Sequence, residues 1–375
     1  MNFPAAEAVC RVDRPLDWSA GKIALMVDAC REMAIFHARE CAEIAWLYRR
    51  HGFDPESVRS EADLTRIPML GVTAMKHYLV TSIPHERAVL KLTSSGTGGQ
   101  KTQIWFDEAS LARVQAQMDG LWGQEGLVSD EPTNYCAFIY DPDDAADLGI
   151  SFSVRNEERF APVKRSYFTV RKNTRGDWEY DRGKAEAMLR EFAAEGVPVR
   201  LLGIPSFAFE LILALEGKAP IALPPGSWLL TGGGWKAAED KKIPREAFRA
   251  LVTERLGIPD AKIRDGFGMA EHSAPYIECD RHRFHVPVYN RVFARDPVSL
   301  RPLPPGHTGL LELMTPFNAM MPTTAILTTD LGYVDAGACD CGRNSPTFTL
   351  VGRGGTAKHK GCAITAAEIV RREGV

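Results

Sequence analysis

The 375-residue sequence has no apolar run approaching the roughly 20 residues of a membrane-spanning helix. It has no surplus of cationic side chains either. The 45 Lys and Arg are balanced by 48 Asp and Glu, and the formal net charge of -3 argues against a general nucleic-acid binder. The opening stretch MNFPAAEAVCRVDRPLDW lacks a basic leader followed by an apolar block, so no secretion signal is expected and the cytoplasm is the default location. Internal repeats and low-complexity tracts are absent. Cysteine is too sparse for a dense disulfide framework. Cys10, Cys30, Cys41 and Cys136 are scattered and are expected to be small buried hydrophobes, whereas Cys279, Cys339, Cys341 and Cys362 sit in richer company.

What is present suits a globular protein of one large domain or two ordinary ones, with 45% hydrophobic residues and enough length for a sizeable core. Residues 19–50 place Ile23, Met26, Val27, Cys30, Met33 and Ala34 at helical spacing, predicting one or two amphipathic helices that end at His51-Gly52. A short helix is expected around Met75. From Thr93 onward, β-like runs (135–140, 199–204, 228–231, 263–266 and 309–314) alternate with helical patterns (108–120, 184–195, 207–216 and 244–256). Asp107 is placed to cap the first of these helices, and Pro244 suits an opening turn. This alternation predicts an α/β fold with at least partly parallel sheets. From about residue 283 the pattern turns β-rich and Pro-rich, which suggests a smaller β-subdomain over 283–350 attached to a large domain that begins at residue 1.

The stretch TSSGTGGQKT, residues 93–102, lies between an apolar run and the β-like QIWF. Its glycines let backbone N–H groups close on phosphate oxygens, its hydroxyls add donors, and Lys101 can neutralise charge. A plain flexible linker is the alternative. It is not a Walker loop, because Gln100 stands where that motif needs Gly. The stretch, with Thr93, Ser94, Ser95, Gly96, Thr97 and Gly98, resembles the Thr/Ser/Gly-rich signature of the adenylate-forming superfamily. Companion motifs follow in the family order. LLTGGGW (229–235), with Gly233 and Gly234, resembles the glycine loop against the adenine. RDGFGMAEH (264–272) resembles the aromatic-Gly-x-Thr-Glu motif. The resemblance implies that Phe267 stacks near the adenine, Gly268 permits close approach and Glu271 holds Mg²⁺ on the phosphates. Ala270 stands where many relatives have Thr, so one hydroxyl contact is lost. TTDLGYV (328–334) resembles the motif whose carboxylate grips the ribose hydroxyls, which maps to Asp330. VGRGG (351–355) resembles the hinge after the large domain, with Arg353 as its basic residue.

Superfamily members carry a complete C-terminal lid with a lysine that touches the substrate carboxylate. Here residues 351–375 read as a hinge and a truncated segment in which only Lys358 and Lys360 are nearby substitutes. Two branches fit. GMAEHSAPYIEC (268–279), the LPPG turn and CDCGR (339–343) resemble phenylacetate–CoA ligases. The N-terminal run through IPML, the short length and the ending GRGGTAKHKGCAIT resemble LuxE-type acyl-protein synthetases more closely. That resemblance implies that a fatty acyl group passes from the adenylate to a cysteine near the C-terminus, matched here by Cys362, and onward to a partner acyl reductase or other acceptor protein. The local chemistry fits independently. Lys358, His359 and Lys360 precede Cys362, and Thr365 to Glu368 read as a capping box, so cations and a helix start flank the thiol. An ordinary surface or semi-buried cysteine remains the plain alternative.

Cys279, His285, Cys339 and Cys341 together supply enough ligands for a closed tetrahedral Zn²⁺ site, with His282 as an alternative fourth ligand; free cysteines fit the sequence equally. His272 is either an acyl contact or a satisfied pocket-wall residue. Pocket walls are expected from the SFAFE segment after Pro205 and from residues near Met269. The expected reaction uses ATP and Mg²⁺ to convert a carboxylic acid into an acyl-adenylate, with Lys101 and Glu271 stabilising phosphate charge, and then transfers the acyl group to Cys362. Coenzyme A or a carrier-protein thiol is the rival acceptor. A non-catalytic acyl- or nucleotide-binding subunit is the rival of another class.

Overall fold

The computed structural model describes residues 2–93, 102–144, 156–235 and 241–353. Within them, the helices are α1 (Pro4–Cys10), α2 (Ala20–Glu40), α3 (Ala42–Arg50), α4 (Glu61–Leu64), α5 (Glu108–Gln124), α6 (Arg182–Ala194), α7 (Pro205–Ala214) and α8 (Arg245–Leu256). Their boundaries follow local chemistry. The Ser19 side chain accepts the Lys22 amide at the start of α2, and Met26, Val27, Cys30, Met33, Ala34 and His37 form the buried stripe. Cys41 is extended and separates α2 from α3, so the long N-terminal pattern becomes two helices. Asp107 caps α5 by accepting the Ser110 amide at 3.2 Å. Pro244 lies just outside α8 as its N-cap rather than in its first turn. The expected helix near Met75 is a short 3-10 turn over Ala74–Lys76.

Strand β1 (Leu70–Gly71) comes first, followed by a hairpin of β2 (Leu90–Thr93) and β3 (Gln103–Phe106). A seven-stranded sheet is then built from β4 (Thr133–Tyr140), β5 (Val163–Lys172), β6 (Trp178–Tyr180), β7 (Val199–Gly203), β8 (Trp228–Gly232), β9 (Ile263–Phe267) and β10 (Tyr276–Ile277). Its order is β10-β9-β8-β7-β4-β5-β6. The pairs from β5 through β9 are parallel, and β6 and β10 close the two edges antiparallel. The remaining strands are β11 (Phe284–His285), β12 (Arg291–Arg295), β13 (Gly309–Met314), β14 (Ala325–Asp335) and β15 (Thr347–Arg353). They form a second sheet in the order β11-β15-β14-β13-β12, with β1 added parallel to β14. The fold is therefore a mixed α/β large unit carrying a smaller β-rich one, as the alternation of patterns predicted.

The main core lies between the parallel sheet and α6, α7 and α8, around Phe138, Tyr180, Phe192, Leu201, Phe207 and Leu229. A second core joins the N-terminal helices to the β2–β3 hairpin and to Met314, Phe317, Met320 and Ile326. β1 escapes a periodicity reading because two residues are too short to show a period. Cys10, Cys30, Cys41 and Cys136 are all buried. Burial pushes the thiols of Cys10 and Cys30 up to about 12, so they stay protonated and unreactive.

Helix α7 is apolar on most sides and buried from Pro205 through Ile212. Phe207 is its best-enclosed aromatic, with its ring 4.9 Å from that of Tyr180. The Tyr180 hydroxyl donates to the Phe207 carbonyl at 2.7 Å. Truncating Phe207 leaves a cavity that this lattice cannot close. Phe207→Ala is expected to cost about 3–5 kcal/mol, while Leu213→Ala on the exposed side of the same helix stays within about 0.5 kcal/mol. Urea unfolding of the two variants checks the contrast.

Candidate active site

Parallel strands bring their C-terminal ends to one edge of a sheet, where loops are free to converge. At that edge β8 and β9 are in register, with Gly232 beside Gly266. Past β8 the chain turns through Gly233 and Gly234 at φ +80° and +71°. Both values are left-handed, a conformation that glycine adopts without strain. Trp235 then folds inward onto Phe209 and Phe248. Past β9 the chain makes a tight turn. The Ser273 amide donates to the Met269 carbonyl at 2.7 Å, and the Ser273 hydroxyl donates to the Ala270 carbonyl at 2.5 Å. This turn carries Gly268, which is exposed, and Glu271, which is buried. No side chain among the described residues pairs with the Glu271 carboxylate, so its oxygens keep their bonding capacity. The half-buried Phe267 ring joins an aromatic cluster, 6.0 Å from Tyr276, 6.4 Å from Phe284 and 5.7 Å from Phe348.

His272 is fully enclosed. Its Nε2 lies 3.0 Å from the Tyr276 hydroxyl and its ring stacks on the Tyr276 ring. Burial pushes its pKa down to about 3, so it is a neutral wall residue at ordinary pH. Of the expected pocket walls, Phe207 and Phe209 are core residues, while Met269 is half-buried against the N-terminal core.

Asp330 lies on β14 directly opposite Arg353 on β15. Its amide donates to the Thr328 hydroxyl at 3.0 Å. The ladder shifts register after Leu331, and Gly332 allows it, because a Cβ there would sit 2.4 Å from the Thr349 carbonyl oxygen. Thr93 ends β2 opposite Gln103, so the β2–β3 hairpin frames the hydroxyl- and glycine-rich loop. Ser94, Ser95, Gly96, Thr97, Gly98 and Lys101 lie outside the described residues, as do Lys358, Lys360 and Cys362. The structure thus brings the glycine loop beside the Phe267–Glu271 turn and sets Asp330 across from Arg353. Phe348 of β15 packs against Phe267 and connects the two groups.

A polar network behind this edge escaped sequence reasoning. Asp265 accepts from the Thr231 hydroxyl at 2.8 Å and from Arg245 at 2.7 Å. Arg245 also pairs with Glu278 at 2.6 Å, and Glu278 accepts the Asp265 amide at 2.8 Å. Burial raises the Glu278 carboxyl against the pull of Arg245. These groups come from four separate elements, and no local pattern marks them.

The other cluster forms where β11 pairs with β15, setting Phe284 opposite Phe348 and His285 opposite Thr347. That pairing lays the 279–285 turn against the 339–342 turn. The ligand atoms of Cys279, His285, Cys339 and Cys341 all lie within 4.8 Å of one another. The Cys279 and Cys339 sulfurs are 3.9 Å apart, close to the roughly 3.8 Å edge of a tetrahedron with ~2.3 Å zinc–sulfur bonds. His285 Nε2 faces Cys341 Sγ at 3.1 Å, while Nδ1 is held by the Ser345 hydroxyl at 2.9 Å. A ligating imidazole needs such a second partner to fix its orientation. Burial lowers the His285 pKa to about 4, leaving the neutral ligand form. Burial alone raises the Cys341 thiol, but the amide and guanidinium of Arg343 outweigh it and bring it below its ordinary value. His282 is not part of the cluster, because its Nε2 pairs with Asp260 at 2.7 Å.

The fold is that of the adenylate-forming ligases. The structure of 2-hydroxyisobutyryl-CoA ligase in its postadenylation state superposes with a TM-score of 0.69 over 91% of this chain and 70% of that one, at 16% identity. More narrowly, the chain belongs to the LuxE acyl-protein synthetase family, whose model matches residues 7–370. It is 26% identical over 310 residues to the long-chain-fatty-acid–luciferin-component ligase of Vibrio harveyi, covering 82% of this chain and 79% of that protein. The Aliivibrio fischeri protein of the same description is 25% identical over 371 residues, covering 96% and 92%. Phenylacetate-coenzyme A ligase of Thermus thermophilus is 26% identical over 306 residues, covering 78% and 61%. The chain is an enzyme of the AMP-forming acid–thiol ligase class, forming an acyl-adenylate at the expense of ATP.

The enclosed His272 makes a sign-definite prediction. Its pKa falls from an ordinary 6.5 to about 3, so protonation favours the unfolded chain. Its stabilising contribution is complete above pH 6.5 and is lost as the pH falls toward 3. His272→Gln is expected to flatten the acid loss of stability by up to about 1.4 kcal/mol per pH unit. Urea unfolding of both proteins at about pH 6 and pH 4 measures the slope.

Proposed function

We propose that the chain activates a carboxylic acid with MgATP and delivers the acyl group to a thiol. The observation that carries this reading is the buried Glu271 carboxylate on a turn in register with the Gly232–Gly234 loop at the open edge of the parallel sheet. The hydroxyls and amides of Thr93, Ser94, Ser95, Gly96, Thr97 and Gly98, with Lys101, receive the phosphates. Phe267 and the Gly233–Gly234 backbone border the adenine, Asp330 holds the ribose, and Arg353 lies across the ladder from it. Glu271 would hold Mg²⁺, which would supply charge neutralisation at the phosphates. A carboxylate oxygen of the acid attacks the α-phosphorus and the bond to pyrophosphate breaks, giving the mixed anhydride. A thiolate then attacks the acyl carbon and AMP leaves. Acceleration of the first step is mainly electrostatic and positional.

The acceptor is a small-molecule or carrier thiol of the coenzyme A kind. This assignment rests on fold neighbours determined with acyl-AMP and CoA and on the Thermus relative named for coenzyme A. A second reading, acyl transfer to Cys362 and then to a partner reductase, is favoured by the family match, which extends past that position. The relatives' names favour a long-chain fatty acid as the substrate. Among the described residues no helix is long and apolar enough to cross a membrane. The cluster of Cys279, His285, Cys339 and Cys341 fits a structural Zn²⁺, because four protein ligands leave no open position for chemistry.

ATP–pyrophosphate exchange across a panel of aliphatic and aromatic acids tests the first step, and exchange with no acid leaves a non-catalytic binding subunit as the better reading. Glu271→Gln is expected to lower exchange on the order of 10²-fold. Cys362→Ser separates the acceptors. Retained formation of acyl-CoA supports the first reading. If CoA is not acylated, and labelled acid marks the wild-type protein but not the variant, Cys362 is the acceptor.

A further inference from the structure

The cysteine–histidine cluster is tied to the nucleotide edge along two separate routes. The first is aromatic. His285 adjoins Phe284, whose ring stacks on Phe348 at 5.4 Å, and both rings pack on Phe267. Phe348 lies on β15, the strand that continues to Arg353 opposite Asp330. The second is ionic. Arg343, two residues after Cys341, reaches Glu125 at 2.9 Å, and the same carboxylate oxygen accepts from Arg264 at 2.5 Å. The Glu125 side chain is fully enclosed, and Arg264 is nearly so. Arg264 lies on β9 three residues before Phe267, while Glu125 is the C-cap of α5, the helix that follows the β2–β3 hairpin. Asn344 adds a reciprocal pair with the backbone of Trp18, each bond 2.8 Å long.

The 339–343 turn lies in the connection between β14 and β15, whose last ladder pair is Asp335 with Thr347. β11 is two residues long, and the turn's own backbone bond is the Gly342 amide donating to the Cys339 carbonyl at 3.0 Å. The 279–285 and 339–342 turns face each other beside the two-residue β11–β15 pairing, where a shared metal would join them covalently. We infer that a divalent cation of the zinc class, bound by Cys279, His285, Cys339 and Cys341, sets the position of the adenine-side wall, with Arg343 as the positioning residue that carries its effect to β9. The inference rests on the adenylation reading, since it assigns Phe267 and Asp330 to the nucleotide. It goes further in making metal and nucleotide binding thermodynamically coupled. Coupling of this kind is reciprocal: the factor by which the metal tightens nucleotide binding equals the factor by which the nucleotide tightens the metal.

AMP is the suitable probe, because it engages the adenine and ribose positions without requiring Mg²⁺. Full-length protein is assayed for bound zinc and titrated calorimetrically with AMP, both loaded and after stripping with a thiol reagent and chelator followed by reduction. The stripped protein is expected to bind AMP on the order of tenfold more weakly. Saturating AMP is expected to lower the zinc dissociation constant, read by chelator competition, by the same factor. Arg343→Met should keep one zinc per chain yet weaken AMP, raising the KM for ATP in exchange while leaving kcat nearly unchanged; Arg343→Lys should restore part of the loss. If stripping unfolds the chain by circular dichroism, the metal-retaining Arg343 variants decide. Equal AMP affinity with and without metal, an Arg343→Met variant indistinguishable from the parent, or failure to retain zinc each overturn the inference. A loaded protein that neither binds AMP nor exchanges pyrophosphate defeats the adenylation reading itself, whereas normal AMP binding without coupling defeats only this step.

Discussion

The parallel pairing of β8 with β9 is the constraint on which the rest of the site depends. Gly232 beside Gly266 places two chain reversals at the same sheet edge, one through Gly233 and Gly234 and the other through Gly268 to Ser273. Slipping a strand by one residue exchanges its two faces, so the buried sides of β8 and β9 hold that register. Leu229 and Ile263, paired across the two strands, both belong to the main core. The site therefore takes its rigidity from apolar packing beneath it, while the turns above carry the polar groups.

A second layer of order comes from paired charges gathered on two buried carboxylates, Glu278 and Glu125. Asp265, Arg245 and Glu278 lace the end of β9 to α8 and to the segment after β10, and Glu125 draws together Arg264 and Arg343. Such groups contribute less to net stability than apolar packing does, because desolvation offsets much of their attraction. Their effect is geometric. A carboxylate shared by two guanidinium groups fixes the separation of the elements that carry them, here α5, β9 and the cysteine-rich turn. Breaking one contact leaves charge buried without its partner, so the arrangement resists partial distortion.

The two clusters also differ in what they contain. The Phe267–Glu271 turn keeps an enclosed carboxylate whose oxygens are uncommitted among the described residues, beside an aromatic face and a glycine-rich backbone. The cysteine–histidine cluster directs all its donor atoms at one another, with the His285 ring fixed from behind by Ser345. Open bonding capacity suits exchange of a ligand, and a closed set suits retention of one. His272 belongs with the walls of the site, since enclosure keeps it neutral and its Nε2 is already occupied by Tyr276.

Much of the architecture was legible because its signals are local. Helical spacing marked α2, Asp107 marked the start of α5, and Gly309–Met314 stood out as a strand at its observed boundaries. The motif residues of the adenylate-forming class were likewise readable in order along the chain. Nothing local announced β1, whose two residues gain their meaning only by lying against Ile326 and Leu327. The positions of Cys279 and His285 against Cys339 and Cys341 were equally hidden, as was the convergence of Glu125, Arg264 and Arg343 from three elements. Near-neighbour chemistry thus marked helix starts, strands and glycine turns along this chain, and the resemblance of its ordered motifs to a known family pointed to the class of reaction. The tertiary structure alone decided which of them meet, because pairing strands some 60 residues apart depends on burying nonlocal apolar faces rather than on any pattern between neighbours.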